Sequence, residues 1–278
     1  MGMTSRLPIS PQVFAIFSAL VAEKIGFHYD AADRELLGDK LSARALDAGF
    51  DSLLDYYYFL RYDPGGAAEM DALIDGLVVG ETYFFRELAQ LELAVSEFVA
   101  PRVAAGGRPR IWSAACSSGE EPFTLAMLLA ERGLLDKVEI IASDISVRAL
   151  SRAQAGVLGP RSLRSNAPPP PFAERWLQVT PDRVVVSAEL RRAIDWRRIN
   201  LLDASQVASL GQLDVVICRN VLIYFHDNTA RWVVKNLSGA LSAGGILLVG
   251  VSESLFRLGT ALACEERGGV FLYRNAEP

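Results

Sequence analysis

The chain has 278 residues, 51% apolar and 22% charged, with a net charge of −5. That balance describes a globular protein of one large or two smaller domains, not a disordered or repetitive chain. No apolar run reaches the ~18 residues of a membrane span, and no signal peptide is visible. Two histidines (His28, His226) and three scattered cysteines (Cys116, Cys218, Cys264) argue against a metal centre, a histidine triad or a disulfide framework, and point to a reducing, cytoplasmic setting.

Residues 8–75 read as helices. Phe14, Phe17, Leu20 and Val21 recur at helical spacing, as do Leu36, Leu37, Leu41 and Ala45. Gly49 ends one helix, and Pro64-Gly65-Gly66 interrupts later. The run Tyr56-Tyr57-Tyr58-Phe59 reads as a core-facing helical segment, and residues 70–79 as another helix. Residues 1–79 carry six basic and twelve acidic side chains, a net −6, leaving the remainder near +1. No basic patch suggests nucleic acid. Residues 88–104 read as one longer helix, ended by Gly106-Gly107.

From Arg110 strands and helices alternate, which implies a parallel sheet. Strands are expected near 110–115, 138–143, 194–198, 213–218 and 245–251, with an antiparallel pair near 260–274. Helices are expected near 122–132, 146–155 and 228–241. Asn166-Ala-Pro-Pro-Pro-Pro171 reads as a stiff extended connector. Trp176-Leu-Gln-Val and Arg183-Val-Val-Val-Ser187 read as a small hairpin within an insertion at about 157–192. The organisation is therefore a helical domain (1–79), a linker helix (80–109) and an α/β domain (110–278).

The most informative segment is Ile111-Trp-Ser-Ala-Ala-Cys-Ser-Ser-Gly-Glu-Glu-Pro-Phe-Thr-Leu-Ala126. A buried strand enters a tight loop that opens a helix, and Pro122 suits a first helical turn. The loop has one glycine, no lysine and two carboxylates, so it lacks the glycine spacing of a phosphate-binding turn. The second strand ends in Asp144, 25 residues after Gly119. An acid at that place accepts hydrogen bonds from ribose hydroxyls. A phosphate-free loop with a ribose acid points to S-adenosylmethionine.

Four strings extend this reading: Glu81-Thr-Tyr-Phe-Phe-Arg-Glu87, Trp112-Ser-Ala-Ala-Cys-Ser-Ser-Gly-Glu-Glu-Pro122, Ala142-Ser-Asp-Ile-Ser146 and Cys218-Arg-Asn-Val-Leu-Ile-Tyr-Phe225. In this order they resemble the CheR-type chemotaxis receptor methyltransferases, over nearly the whole chain. The resemblance implies a class I S-adenosylmethionine-dependent methyltransferase fold. That fold is Rossmann-like, with a mostly parallel seven-stranded sheet, a small all-helical N-terminal domain and a small β-hairpin insertion. It implies a protein-glutamate O-methyltransferase that uses S-adenosyl-L-methionine and releases S-adenosyl-L-homocysteine. Its partners would be the cytoplasmic helices of methyl-accepting chemotaxis receptors. By the same resemblance Arg86 lies by the cofactor and takes part in catalysis, and Glu121 contacts the cofactor. Arg219 and Asn220 meet its amino-acid part, and Asn200 and Leu201 meet adenine. Gly80 and Thr82 belong to the cofactor-contacting motif.

The chemistry needs little from the protein beyond placement. A glutamate carboxylate, with a pKa near 4.3, is already ionised and attacks a sulfonium methyl without a general base. Arg86, read as held against a wall of phenylalanines, can grip a carboxylate through its planar fork. Tyr224, just past the end of the strand 213–218, can orient the substrate carboxylate. Glu120 reads as a helix-start charge favoured by the dipole, and His226 as a helix-capping, structural residue.

Three departures from the family stand out. Gly80 occupies a position where many relatives have asparagine. The segment aligned with the family's basic substrate-reading helix, residues 39–47, has only Lys40 and Arg44 among acidic neighbours. The hairpin lacks the glycine-bearing extension that relatives use for a receptor's C-terminal peptide, so no pentapeptide tether is expected. Competing readings are a nicotinamide oxidoreductase, opposed by the missing loop glycines, and a scaffold that binds cofactor or receptors with weak or no methyl transfer.

Overall fold

The structure, a computed structural model, describes residues 6–164 and 168–276. Asn166 and Ala167 of the expected connector lie outside them. The chain divides into two compact units: Met1–Val79 with Tyr224–His226, and Gly80–Ile223 with Asp227–Pro278.

The first unit is built from helices Pro11–Ile25, Arg34–Asp47, Leu53–Tyr62 and Gly66–Leu77. Ser10 caps the first by accepting from the Val13 N–H at 3.2 Å, Pro11 occupies its first turn, and Gly26 closes it in the left-handed conformation. Ser52 caps the third in the same way. Phe17, Leu37, Leu41, Tyr56, Leu73 and Leu77 form the buried centre. The aromatic run does not face the core as a block: Tyr56 is buried, whereas Tyr58 is 53% exposed. Consecutive helical residues point in different directions, so four in a row cannot share one face.

The two basic side chains of the segment aligned with the family's substrate-reading helix are engaged inside this unit. Arg44 forks onto Glu69 through two bonds of 2.6 Å, and Glu69 also accepts from the Tyr56 hydroxyl at 2.7 Å. Lys40 Nζ donates to the Leu77 carbonyl at 2.7 Å. Tyr224–His226 joins the helices by an antiparallel bridge between Phe27 and Phe225. The His28 N–H donates to the Tyr224 carbonyl at 2.9 Å. The Phe27 and Tyr224 rings stack at 5.1 Å, and His28 meets His226 edge to face at 5.3 Å.

The second unit carries strands β1 (Arg110–Ala114), β2 (Glu139–Asp144), β3 (Val157–Leu158), β4 (Leu177–Val179), β5 (Val184–Val186), β6 (Ile194–Arg198), β7 (Leu213–Cys218), β8 (Leu241–Leu248), β9 (Ala263–Arg267) and β10 (Val270–Arg274). Seven form one sheet in the order β6-β2-β1-β7-β8-β10-β9. The first five are mutually parallel, and β10 runs antiparallel to both β8 and β9. This is the mostly parallel seven-stranded sheet that the resemblance implies. From β1 the sheet grows one way through β2 and β6, and the other way through β7 and β8. The reversal leaves a crevice beyond the carboxyl ends of β1 and β7, where open α/β sheets bind ligands. Apolar runs in β1, β2 and β7 are buried on both faces, as parallel strands require.

Four elements differ from expectation. Strand β8 spans Leu241–Leu248 and stops before residue 251. The Gly250 N–H is taken by the Glu253 side chain instead of a ladder. The long helix is interrupted by a π-helical stretch, Ala94–Val99, just ahead of Pro101. Proline cannot donate, and the widened turn shifts the hydrogen-bond register before it arrives. The insertion is a three-stranded sheet, β3-β5-β4, not a hairpin alone. The proline run does not stay extended throughout, because Pro171 opens a 3₁₀ turn, Pro171–Arg175.

Candidate active site

The loop after β1 is tight. Ala115 (φ 55°) and Ser117 (φ 51°) are left-handed, and the Cys116 N–H donates to the Ser143 carbonyl at 2.9 Å. Gly119 has φ 95°, and a Cβ there would lie 2.9 Å from both the Ala153 Cβ and the Trp196 ring. No other residue fits, which explains the lone glycine. Helix Glu120–Glu131 starts directly after it. Asp144, at the tip of β2 and 8% exposed, accepts from the Ser117 N–H at 2.8 Å and the Ser146 N–H at 2.9 Å. The predicted ribose acid is thus also the strut of the predicted loop.

Glu121 is the second residue of helix Glu120–Glu131. It accepts from Ser113 Oγ at 2.6 Å and from Arg219 Nε at 2.7 Å. The Arg219 side chain is 2% exposed and also donates to Gln90 Oε1 (3.1 Å) and the Arg86 carbonyl (3.0 Å). A buried guanidinium survives only when paired and hydrogen-bonded, as this one is. Arg86 donates through one terminal nitrogen to Asn220 Oδ1 (2.7 Å) and through the other to the Glu81 carbonyl (3.2 Å). The ring beside its guanidinium is Tyr83, at 5.5 Å, not a phenylalanine. Phe84 turns into the core instead. Arg164 covers the same Tyr83 ring at 4.1 Å.

Of the residues expected at the site, Arg86, Glu121, Arg219 and Asn220 form one hydrogen-bonded cluster. Asp144 is joined to the loop above it. A Cβ on Gly80 would meet Ser117 Oγ at 3.5 Å, so Gly80 borders the same loop. Thr82 is half-buried just ahead of Tyr83. Asn200 follows β6, where its Oδ1 accepts from the Leu202 N–H at 3.0 Å, and Leu201 is buried beside it. Tyr224 belongs to the helical unit, stacked on Phe27.

Other residues of the site carry signals the sequence reading passed over. Glu120 stands at the start of its helix, as expected, but it is buried. It is 2% exposed and accepts from Ser162 Oγ (2.7 Å) and Ser118 Oγ (2.8 Å). Burial pushes its carboxyl up, and the two hydroxyls oppose that shift. Glu253 is buried beyond β8. Its signal was the acid in Gly250-Val-Ser-Glu253, at the carboxyl end of an apolar strand, where Asp144 also stands.

Among the described residues, the non-glycine positions with positive φ are Phe85, Glu87, Ala115, Ser117 and Asn220. All five lie in the segments just described. Backbone strain concentrated this way accompanies ligand sites. The residues fit S-adenosylmethionine: a loop without cations, an acid at the end of the second strand and two carboxylates in the first turn of the helix that follows the loop, a donor set suited to a cationic ligand without phosphate.

Residues 80–267 match the family "CheR methyltransferase, SAM binding domain", and residues 12–78 match "CheR methyltransferase, all-alpha domain". Among curated relatives, "Chemotaxis protein methyltransferase 2" of Vibrio cholerae is 34% identical over 259 residues, covering 91% of this chain and 89% of that protein. "Chemotaxis protein methyltransferase 1" of Pseudomonas aeruginosa is 32% identical over 253 residues, covering 88% of this chain and 91% of its own length. The chain belongs to the CheR methyltransferase family, and its residues 80–267 are that family's S-adenosylmethionine-binding domain.

Proposed function

We propose that this protein esterifies glutamate side chains on the cytoplasmic helices of chemotaxis receptors, as a protein-glutamate O-methyltransferase of the cytoplasm. The observation that carries the reading is Arg86, anchored at both terminal nitrogens by Asn220 and the Glu81 carbonyl. A guanidinium fixed this way presents its remaining N–H groups without rotating, as a carboxylate-binding fork requires. Bound S-adenosylmethionine supplies a methyl group activated by a positive sulfur. Asp144 takes the ribose, Asn200 and Leu201 the adenine, and Glu121, Arg219 and Asn220 surround the amino-acid end. Gly80 and Thr82 border the cofactor. Arg86 holds the incoming carboxylate, and the Tyr224 hydroxyl orients it. No side chain has to remove a proton, since glutamate with a pKa near 4.3 is ionised at neutral pH. Alignment alone can lower the barrier by roughly 7–11 kcal/mol.

The receptor is met without a C-terminal peptide tether. The hairpin at residues 176–187, with strands β4 and β5 of three residues each, has no glycine-bearing extension. The test is incubation with tritiated S-adenosylmethionine and receptor-bearing membranes. The expected result is label on the receptor band that mild base releases as methanol, the signature of an ester. Base-stable label, or none, would refute the assignment.

A further inference from the structure

We infer that Glu253 is a positioning residue for methyl transfer, acting through Asn220 on Arg86; the inference rests on the proposed role of Arg86. Glu253 lies past β8, is 8% exposed, and among the described residues has no cationic side chain as its hydrogen-bond partner. Its carboxylate is met by four backbone N–H groups. Oε2 accepts from Asn220 (2.7 Å) and Gly250 (2.8 Å). Oε1 accepts from Leu222 (2.7 Å) and Ile223 (3.3 Å). Backbone N–H groups of the turn after β7 and of the loop after β8 therefore converge on one side chain.

The consequence is local and directional. Asn220 stands in the left-handed conformation at φ 61°, which L-residues other than asparagine and aspartate rarely adopt. The bond from its N–H to Glu253 holds that conformation. The conformation in turn aims Oδ1 at Arg86. Gly250 shows how little room the arrangement has. A Cβ there would lie 2.9 Å from Glu253 Oε2 and 3.0 Å from Asn220 Oδ1.

Glutamine is nearly the same shape as glutamate but cannot replace it. Whichever way the amide is turned, its NH2 faces two N–H donors. Glu253→Gln should therefore release one pair of donors, either Asn220 with Gly250 or Leu222 with Ile223, loosen the turn 220–223 that aims Asn220 at Arg86, and leave the β1 loop and Asp144 in place. Small misplacements of this kind cost as much as roughly a hundredfold in rate.

The test is a double-mutant cycle on purified enzyme, read by tritiated methyl transfer. Glu253→Gln should lower kcat roughly tenfold or more, while S-adenosylhomocysteine affinity by calorimetry changes little. In an Arg86→Ala background the same substitution should change kcat by less than about twofold. Amide exchange at residues 220–223 of the unliganded enzyme should rise in Glu253→Gln. Gly250→Ala should reproduce the kcat loss and its dependence on Arg86, and serves where Glu253→Gln does not fold. An equal loss in both backgrounds, unchanged kcat, or unchanged amide exchange would overturn the inference. Arg86→Ala with undiminished turnover would overturn the Arg86 reading itself, a separate result.

Discussion

Asp144→Asn tests the cofactor assignment most sharply. The side chain keeps its size but loses its charge and one acceptor. In the structure the two carboxylate oxygens take the N–H groups of Ser117 and Ser146 at 2.8 and 2.9 Å. An amide can serve one of them, and its NH2 must face the other. One buried donor left unsatisfied costs about 1–3 kcal/mol of stability. In a domain of this size that lowers the melting temperature by roughly 2–12 °C. The ribose separately loses a charged acceptor worth about 1.5–3 kcal/mol. That corresponds to a Kd for S-adenosylhomocysteine weaker by about 10- to 150-fold. Asp144→Ala should melt lower still, since both donors are then orphaned and Ser117 is free to leave its left-handed conformation. Titration calorimetry well below each melting temperature, alongside a thermal melt, separates the two effects. A lower melting temperature with affinity within about threefold of wild type would show that Asp144 is only a strut for the loop.

Four further outcomes are expected. Arg86→Ala and Tyr224→Phe should each depress turnover more than S-adenosylhomocysteine affinity in steady-state and calorimetric measurements; retained turnover in both would remove the substrate clamp. Glu120 has its carboxyl raised by burial, so above an ordinary pKa of about 4.3 the folded chain binds more protons than the unfolded one and stability falls as pH rises. Glu120→Gln should flatten that fall in denaturant titrations and leave the protein at least as stable at neutral pH, because the Ser118 and Ser162 hydroxyls can reorient; an unchanged slope would contradict the burial argument. Gly80 is not left-handed and its Cβ would sit 3.5 Å from Ser117 Oγ, so Gly80→Asn should be accommodated and tighten S-adenosylhomocysteine by one hydrogen bond, about 2- to 10-fold, with calorimetry as the check. Methylation of a matched receptor should survive deletion of that receptor's C-terminal tail and should not fall with moderate salt, because Lys40 and Arg44 are occupied within an acidic helical unit; steep losses in either assay would refute this.

Periodicity and strand-end chemistry made much of this legible. Asp144, Arg219 and Asn220 each close an apolar run, and a strand end in an α/β sheet is a ligand position. What the sequence concealed was partnership across long separations. Glu253 meets Asn220 thirty-three residues away, and Ser162 meets Glu120 forty-two away; no local pattern announces either pair. Arg44 read as a cation available to a partner, because Glu69 lies 25 residues on and on another helix. The turn at Tyr224–His226 was unforeseeable for the same reason. Three residues between a strand and a helix of one unit belong structurally to Phe27 and His28 of the other.

The left-handed residues around the site have a consequence for ligand binding itself. Ala115 and Ser117 hold their backbone in a region that disfavours such L-residues by about 1–2 kcal/mol, a cost smaller for Asn220, and glycine at these positions would relax the backbone. A relaxed loop, however, would have to be ordered again whenever a ligand arrived. By fixing Ala115, Ser117 and Asn220 during folding, the protein meets that entropy once per molecule instead of once per turnover. Glycine variants at these positions should therefore fold readily and bind with a larger entropic penalty. What holds these residues is the fold's own hydrogen bonding, from the Cys116, Ser117 and Asn220 N–H groups to Ser143, Asp144 and Glu253.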